Sequence, residues 1–361
     1  MRILVVNPGS SSLKAALVVD GEAVEHDNVD IANCLAEVSQ VAERWAPIDA
    51  VGVRFVHGGP DHVAPVLASE EVLAELDETV SLAPLHNPSA LAASRAVREA
   101  LPGVPVGLCF DTAFHSTMPA AASTYPLPKE WNERWRLRRY GFHGLSHAYA
   151  AHRAAELVGR PVGELRTVVA HLGAGASLCA VRGGVSVDTT MGFTPLEGVM
   201  MQVRSGSVDP GLLVWLLEQG VSVEELSETL EHRSGVAGLS GTSGDMRVVE
   251  PAYAAGEPDA TLAFEVYLHR LRRELGGMVA SLGGLDVLVF TGGIGERSPV
   301  VRGWLGDQLG WLGVGIDPVL NEGGPADRDI ATPSSAVRVL VVEAREDLAI
   351  AGQVEGLLAS G

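Results

Sequence analysis

The chain has 361 residues, 47% of them hydrophobic, with a formal net charge of −19; since single cores stop growing at roughly 250–300 residues, this length suits two domains. A field of that sign repels nucleic acid and anionic membrane surfaces, and no apolar run reaches the roughly 18 residues of a membrane span. Cys34, Cys109 and Cys179 lie far apart with no C-x-x-C, which argues against a disulfide framework or a cysteine zinc site and for buried free thiols.

Taken in chain order, "MRILVVNPG" has too short an apolar run for a signal peptide and reads as a first strand, as in a cytoplasmic protein. Residues 2–7 and 12–19 read as strands of a hairpin joined by "PGSS". Arg54 follows "AVGV" in what reads as a buried strand. Ser69 is placed to cap a helix over 69–82. "RFVHGG" (54–59), "APLHNPSA" (83–90), "FDTAFHSTMP" (110–119) and "RRYGFHGLSH" (138–147) each set a histidine beside Gly, Pro or Asn, and these histidines read as hydrogen-bond donors to anionic groups. His143 and His147 have a spacing that suits a metal on a helix, but H-E-x-x-H is missing and Gly144 disfavours a regular helix there. Strand, glycine turn and strand then return in 167–190: a strand into His171, "GAGAS", and strands around 178–181 and 185–187. Arg204 sits in the apolar "MMQVRSG"; Ser222 and Glu225 open a helix over 222–231 as a capping box. A long amphipathic helix over 259–282 feeds a strand at 286–290 and a third strand-to-glycine junction, "DVLVFTGGIGERS".

Strands alternating with helices predict an α/β fold, and the recurring pattern predicts an internal duplication with a cleft between the halves. Backbone N–H groups at glycine turns, serine hydroxyls and a lysine are what a polyphosphate needs. Residues 9–14 are not a P-loop, because a second Gly before the Lys and a hydroxyl after it are lacking, and "GAGASL" is not a dinucleotide fingerprint, because Leu178 stands at its third glycine position. Three such turns, with two arginines in apolar surroundings of an acidic chain, point to a nucleotide and a second anion.

"NPGSSSLK", "RFVHGG", "PLHNP", "FDTAFHSTMP", "YGFHG.SH", "HLG.GAS", "MGFTPLEG", "RSG..DPG", "FTGGIGE" and "EDLAIA" occur in that order. Together they resemble the acetate kinases of the sugar kinase and actin superfamily, from residue 3 to about 351. The resemblance implies two duplicated ribonuclease H-like (actin-like ATPase) domains, drawn here as 1–115 plus 348–361 and 116–347. It implies a homodimer that binds acetate and ATP/ADP, with Mg²⁺ or Mn²⁺ organised by Asn7 and Glu346, and no nucleic acid or membrane partner. Arg54, Asp111, His143 and Arg204 match the catalytic set; Arg54 with Val56, Leu85, His86, Phe142 and Pro195 matches the acetate site. Ser10, Ser12 and Lys14 match a first phosphate hairpin and His171, Leu172, Gly173, Ala174 and Gly175 a second. Asp245, Met246 and Arg247 match the adenosine side; Gly293, Ile294, Gly295, Glu296 and Arg297 match the loop under the nucleotide.

A carboxylate substrate has a pKa of about 4 and needs no base at pH 7, so Asp111 is expected to orient Arg54, Arg204 or the water around the metal. The chain departs from the family at Ala174 (usually Asn), at Gln202 and Val203 (Gly-Thr), and at Ser207 (Asp), Val53 (His) and Leu145 (Thr). These departures keep two alternatives open: a diverged kinase of propionate or a larger carboxylate, and a catalytically impaired nucleotide-binding paralogue.

Overall fold

Alternation in the first strand sets the layout of the N-terminal half. The computed structural model describes residues 1–9, 12–30 and 34–360. Ile3, Leu4, Val5 and Val6 are all buried. Leu4 and Val6 pack with Val53, Phe55, Leu91 and Val97, whereas Ile3 and Val5 pack with Ile350, Ala351 and Val354. A strand buried on both faces belongs inside a sheet with helices on either side.

The chain forms two compact units, one of Met1–Ser116, Phe142–Tyr149 and Arg345–Gly361, the other of Thr117–Gly141 and Ala150–Ala344. The boundaries drawn from sequence differ mainly at Phe142–Tyr149, which is tied to the first unit where Gly144 N–H donates to the Asp111 carbonyl (3.0 Å).

The first unit holds strands β1 (Arg2–Pro8), β2 (Ser12–Val19), β3 (Glu22–Asp30), β4 (Ala50–Phe55), β5 (Val66–Leu67) and β6 (Val106–Phe110), in the order β3-β2-β1-β4-β6-β5. The second holds β7 (Arg166–Leu172), β8 (Ala176–Arg182), β9 (Val185–Thr189), β10 (Val287–Thr291), β11 (Arg328–Asp329) and β12 (Arg338–Val341), in the order β11-β12-β10-β7-β8-β9. Read from the other edge, the second order repeats the first. Each unit has an antiparallel meander, then two parallel pairings, then a short antiparallel edge strand. The expected duplication is therefore present strand for strand.

Residues at the base of the sheets repeat as well. Arg2 N–H donates to Asp49 Oδ2 (2.7 Å) and Asp49 N–H to the Arg2 carbonyl (2.8 Å). In the second unit Arg166 N–H donates to Asp286 Oδ2 (2.9 Å) and Asp286 N–H to the Arg166 carbonyl (2.9 Å). Helix Glu346–Ala359 lies on β1, β4 and β6 of the first unit. Its close approach depends on glycine, since a Cβ on Gly107 would stand 2.8 Å from Val354 Cγ2.

Local signals hold where capping chemistry is strong. Ser69 accepts from Val72 N–H (3.1 Å) and Ser222 from Glu225 N–H (3.1 Å). The first of these helices ends at Glu78, shorter than expected, and a 3₁₀ turn over Val80–Leu82 follows. Helix Pro258–Leu282 starts on proline and stops at Gly283 in the left-handed region. Cys109 and Cys179 are buried, and burial pushes both thiols up to about 12; the Cys34 side chain lies outside the described residues. Among the described residues no helix is long and apolar enough to cross a membrane.

Candidate active site

Parallel strands end on the same side of a sheet, so residues far apart in sequence meet there. In the first unit β1 delivers Asn7, β4 delivers Arg54, and β6 runs into Asp111, whose N–H donates to the Phe55 carbonyl (2.9 Å). Arg54 grips Asp111 through two bonds, Nε to Oδ1 (3.0 Å) and Nη2 to Oδ2 (2.5 Å). Its Nη1 donates to Asn7 Oδ1 (3.0 Å) and lies 3.7 Å from Glu346 Oε2. Asn7 Nδ2 donates to the same Glu346 oxygen (2.9 Å). Asp111 is 1% exposed and Arg54 17%. Burial pushes the Asp111 carboxyl up, and Arg54 pulls against it. For Arg54, burial is outweighed by the Asp111 and Glu346 carboxylates, so the guanidinium is held above its ordinary value. It is a fixed cation. A guanidinium carries five N–H donors, and among the described residues three of those on Arg54 are hydrogen-bonded, one from each nitrogen.

Lys14 stands opposite Asn7 in the β1–β2 register and is exposed. Ser12 pairs with Asp30 in the β2–β3 ladder, and Ser10 lies outside the described residues. His143 has φ +57° and its backbone N–H bonds the Asp111 carboxylate. Helix Gly144–Val158 begins at the very glycine expected to oppose it. The physical reason is contact: a Cβ at Gly144 would collide with the Asp111 carbonyl oxygen, so only glycine can start the helix against that strand end.

Three of the histidines read as anion donors have a different setting. His57, His115 and His147 are fully buried. His57 Nδ1 accepts from Gly59 N–H (2.8 Å), and burial lowers its pKa to about 4, so it is neutral. Asn87 of "PLHNP" clips it in place, Nδ2 donating to the His57 carbonyl (2.9 Å). His115 Nε2 donates to the Phe142 carbonyl (3.0 Å). Of the residues matched to the acetate site, Phe142 is buried edge-on to His57 (centroids 5.6 Å apart), Val56 is partly buried, and Leu85 is 49% exposed. His86 precedes helix Asn87–Ala100 without a side-chain cap bond. Pro195 belongs to the second unit.

The second unit holds a cavity of about 300 Å³. One wall is the β7–β8 turn, with Gly173 and Ala174; its closing bond runs from Gly173 N–H to the Gly175 carbonyl (3.0 Å). The opposite walls are Asp245, Met246 and Arg247, and Gly293, Ile294 and Arg297. Three separate matched segments thus line one space. His171, Leu172, Gly175, Gly295 and Glu296 are not among its lining residues. His171 pairs with Ser177 in the ladder and Glu296 Oε1 accepts from Ala344 N–H (3.0 Å). Gly292 sits at φ +77° with no room for a Cβ, which would lie 2.8 Å from the Leu172 carbonyl oxygen; this lets the loop fold tightly onto β7.

Sequence reasoning missed Gln202, Gly244, Glu250 and Ser298, which also line the cavity. Glu250 accepts from Ser298 Oγ (2.6 Å), and burial raises its pKa. Gln202 joins two walls, its N–H donating to the Ala174 carbonyl (3.2 Å) and its Nε2 to the Ser243 carbonyl (3.0 Å). A departure from the family pattern at position 202 was the one available signal. Arg204 is partly buried, and its guanidinium makes no hydrogen bond or ion pair among the described residues. Burial pulls its pKa down, with Glu231 opposing.

Among the described residues, no group of three or more His, Cys, Asp or Glu could hold a metal. Mg²⁺ is ordinarily held by one or two carboxylates together with phosphate oxygens and water. The Glu346 carboxylate, backed by Asn7, fits an ion of that kind arriving with a nucleotide.

The profile of the Acetokinase family matches residues 18–352. The acetate kinase of Synechococcus sp. (strain JA-2-3B'a(2-13)) is 47% identical over 401 residues, covering 99% of each chain. That of Gloeobacter violaceus is 51% identical, covering 84% of this chain and 75% of its own. The solved Porphyromonas gingivalis acetate kinase matches with a TM-score of 0.91 at 36% identity, over 99% of each chain. A propionate kinase from Francisella tularensis matches with a TM-score of 0.89 at 33% identity, over 98% of each. Duplicated sheets, motif order and near-complete coverage agree: the chain belongs to the acetokinase family.

Proposed function

We infer that this protein is a cytoplasmic acetate kinase, transferring the γ-phosphoryl group of ATP to acetate and back from acetyl phosphate to ADP. The observation that carries the reading is Arg54: a largely enclosed, permanently charged fork that Asp111 and Asn7 hold in place. A carboxylate oxygen attacks the γ-phosphorus, the bond to the β-phosphate bridging oxygen breaks, and ADP leaves with the electron pair. No proton moves, so Asp111 orients Arg54 and is not a base. Such a transfer needs positioning and charge neutralisation more than covalent help. Arg54 binds the acetate carboxylate; Arg204 and His143 bond the equatorial oxygens of the moving phosphoryl. Lys14, Ser10, Ser12 and the Gly173–Gly175 turn hold the phosphate tail, and the 245–247 and 293–297 segments hold the nucleoside. Mg²⁺ on Glu346 and Asn7 would neutralise the β- and γ-phosphate oxygens. Val56, Leu85, Phe142 and Pro195 surround the methyl group, with His86 beside them.

The Francisella neighbour supports a second reading, with propionate as the acceptor. One assay decides: purified protein with ATP, Mg²⁺ and formate, acetate, propionate or butyrate, trapping acyl phosphates as hydroxamates. Acetate should give the highest kcat/KM, with propionate next. A propionate maximum selects the second reading, and ATP binding without acyl phosphate from any carboxylate overturns both.

The homodimer is likewise proposed. Helix Pro210–Glu218 (PGLLVWLLE) buries none of its residues, and Val214 and Trp215 are more than half exposed. An apolar helix left so open is what a second subunit would cover.

A further inference from the structure

The segment from Thr190 to Gly198 in the second unit carries Pro195 and contains no helix or strand. Such a segment has no ladder or helix of its own to hold its shape, and this one is gripped on both sides of Pro195. Arg139 Nη1 donates to the carbonyls of Thr190 (3.0 Å) and Met191 (3.1 Å). Arg139 Nη2 donates to Glu197 Oε1 (2.6 Å). The other Glu197 oxygen accepts from the Tyr125 hydroxyl (2.5 Å), and that hydroxyl in turn accepts from Phe193 N–H (2.8 Å). Tyr140 N–H and Gly141 N–H share the Gly192 carbonyl (3.0 and 3.2 Å). A Cβ on Gly192 would collide with both the Glu197 carboxylate and the Tyr125 hydroxyl, so a side chain there would displace the two groups.

We propose that Tyr125, Glu197 and Arg139 form a brace that fixes the position of Pro195 and thereby limits the length of the carboxylate accepted. They are positioning residues, acting through the loop. The proposal rests on the reading of Pro195 as a wall of the acyl site. The Tyr125 hydroxyl is central, because it donates and accepts at once. Phenylalanine there would leave the Phe193 N–H and a Glu197 oxygen without their partner and loosen the loop next to Pro195. Burial and the Glu197 carboxylate push the Tyr125 phenol up, so it stays a donor across the working pH range.

The test compares kcat/KM for acetate and propionate, and KM for ATP, in the parent and in Tyr125→Phe, Glu197→Gln and Pro195→Ala. One methylene is worth about 10–200-fold in a well-formed pocket. Partial loss of the wall should therefore raise the propionate-to-acetate ratio roughly three- to tenfold in Tyr125→Phe and less in Glu197→Gln, which keeps the side-chain shape. KM for ATP should stay within about twofold, a split that general loosening of the fold would not produce. If Tyr125→Phe yields little folded protein, Glu197→Gln carries the test. An unchanged ratio in the brace variants overturns the proposal. Should Pro195→Ala still shift it, the reading of Pro195 stands; if that variant is silent too, the reading falls with the brace.

Discussion

The two units share one sheet plan and the same Arg–Asp clamp at its base, yet their opposite ends differ. In the first unit the strand ends are crowded with charge, with Arg54 locked between Asp111, Asn7 and Glu346. In the second they open into glycine turns around a cavity, and among the described residues nothing hydrogen-bonds the Arg204 guanidinium. A duplicated scaffold can keep the pairing that registers its strands and vary what stands at their tips. One copy pre-organises a cation; the other leaves room for a large ligand. Both arginines serve the proposed reaction, but only one also contributes to the fold.

Mutating the two arginines puts that difference at risk. Arg54→Ala and Arg204→Ala should each lower kcat by about 10³-fold, the upper range for losing a donor to transition-state charge. Arg54→Ala should also lower Tm, because it strands the buried Asp111. Removing one partner of a buried pair costs about 3–5 kcal/mol. Arg204→Ala should leave Tm unchanged or slightly raised, as expected for a partly desolvated cation that none of the described residues hydrogen-bonds. Equal Tm losses by thermal unfolding would break the comparison. A smaller effect is expected for Asp111→Asn: kcat falls about 10²-fold while the basic limb of the pH–rate profile stays in place. Recovery of activity merely on raising pH would mean that Asp111 is a base.

The clamps sharpen the comparison at lower amplitude. Arg166 turns its guanidinium onto Asp286 (2.9 and 3.0 Å), whereas Arg2 turns its own onto the carbonyls of Pro47 (2.8 Å) and Trp45 (2.9 Å). The Arg166 bonds hold the Asp286 carboxyl below its usual range. A depressed carboxyl stabilises fully above the unfolded value of about 3.9 and loses that contribution as pH falls through the folded value. Asp286→Asn should therefore lower Tm at pH 7 by about 2–4 °C, for a partly exposed pair worth about 1 kcal/mol or less. The deficit should shrink in acid. A pH-independent deficit for Asp286→Asn would contradict the pairing. Helix Pro210–Glu218 gives a further test of the proposed dimer: Trp215→Glu should give a smaller mass than the parent in light scattering, with the fold intact by circular dichroism. The smallest effect is expected at Ala174→Asn, which returns an amide to the cavity wall; kcat should rise a few-fold, less than the 10²-fold a full transition-state donor supplies. No gain would indicate that Gln202, bonded across the same turn, already fills the place.

Legibility in sequence followed the range of the interaction. The β1–β2 hairpin, the Ser69 and Ser222 caps and the Pro258–Leu282 helix are set by neighbours in the chain, and all could be read. The Acetokinase motifs marked Arg54 and Asp111 as members of one site, but not that they form a two-bond pair across 57 residues. Histidines beside glycine looked like ligand donors, yet His57 and His115 serve carbonyls and amides of the fold, because only the folded chain decides which turns are buried. Gly144 misled because its helix cost was visible and its contact with Asp111 was not. Glu250 lines the cavity from inside helix Met246–Ala254 with no local mark, and Ser298 is marked in sequence only as the cap of helix Pro299–Gln308.

The Asn7–Glu346 bond spans 339 residues of chain. At a synthesis rate of about 5–20 residues per second, tens of seconds separate the emergence of its two ends from the ribosome. Throughout that interval Ile3 and Val5 wait for Ile350 and Val354, and one side of the first sheet stays greasy and bare. The N-terminal half of this molecule is thus translated first and finished late, and it is the part for which a nascent-chain chaperone has most to shield.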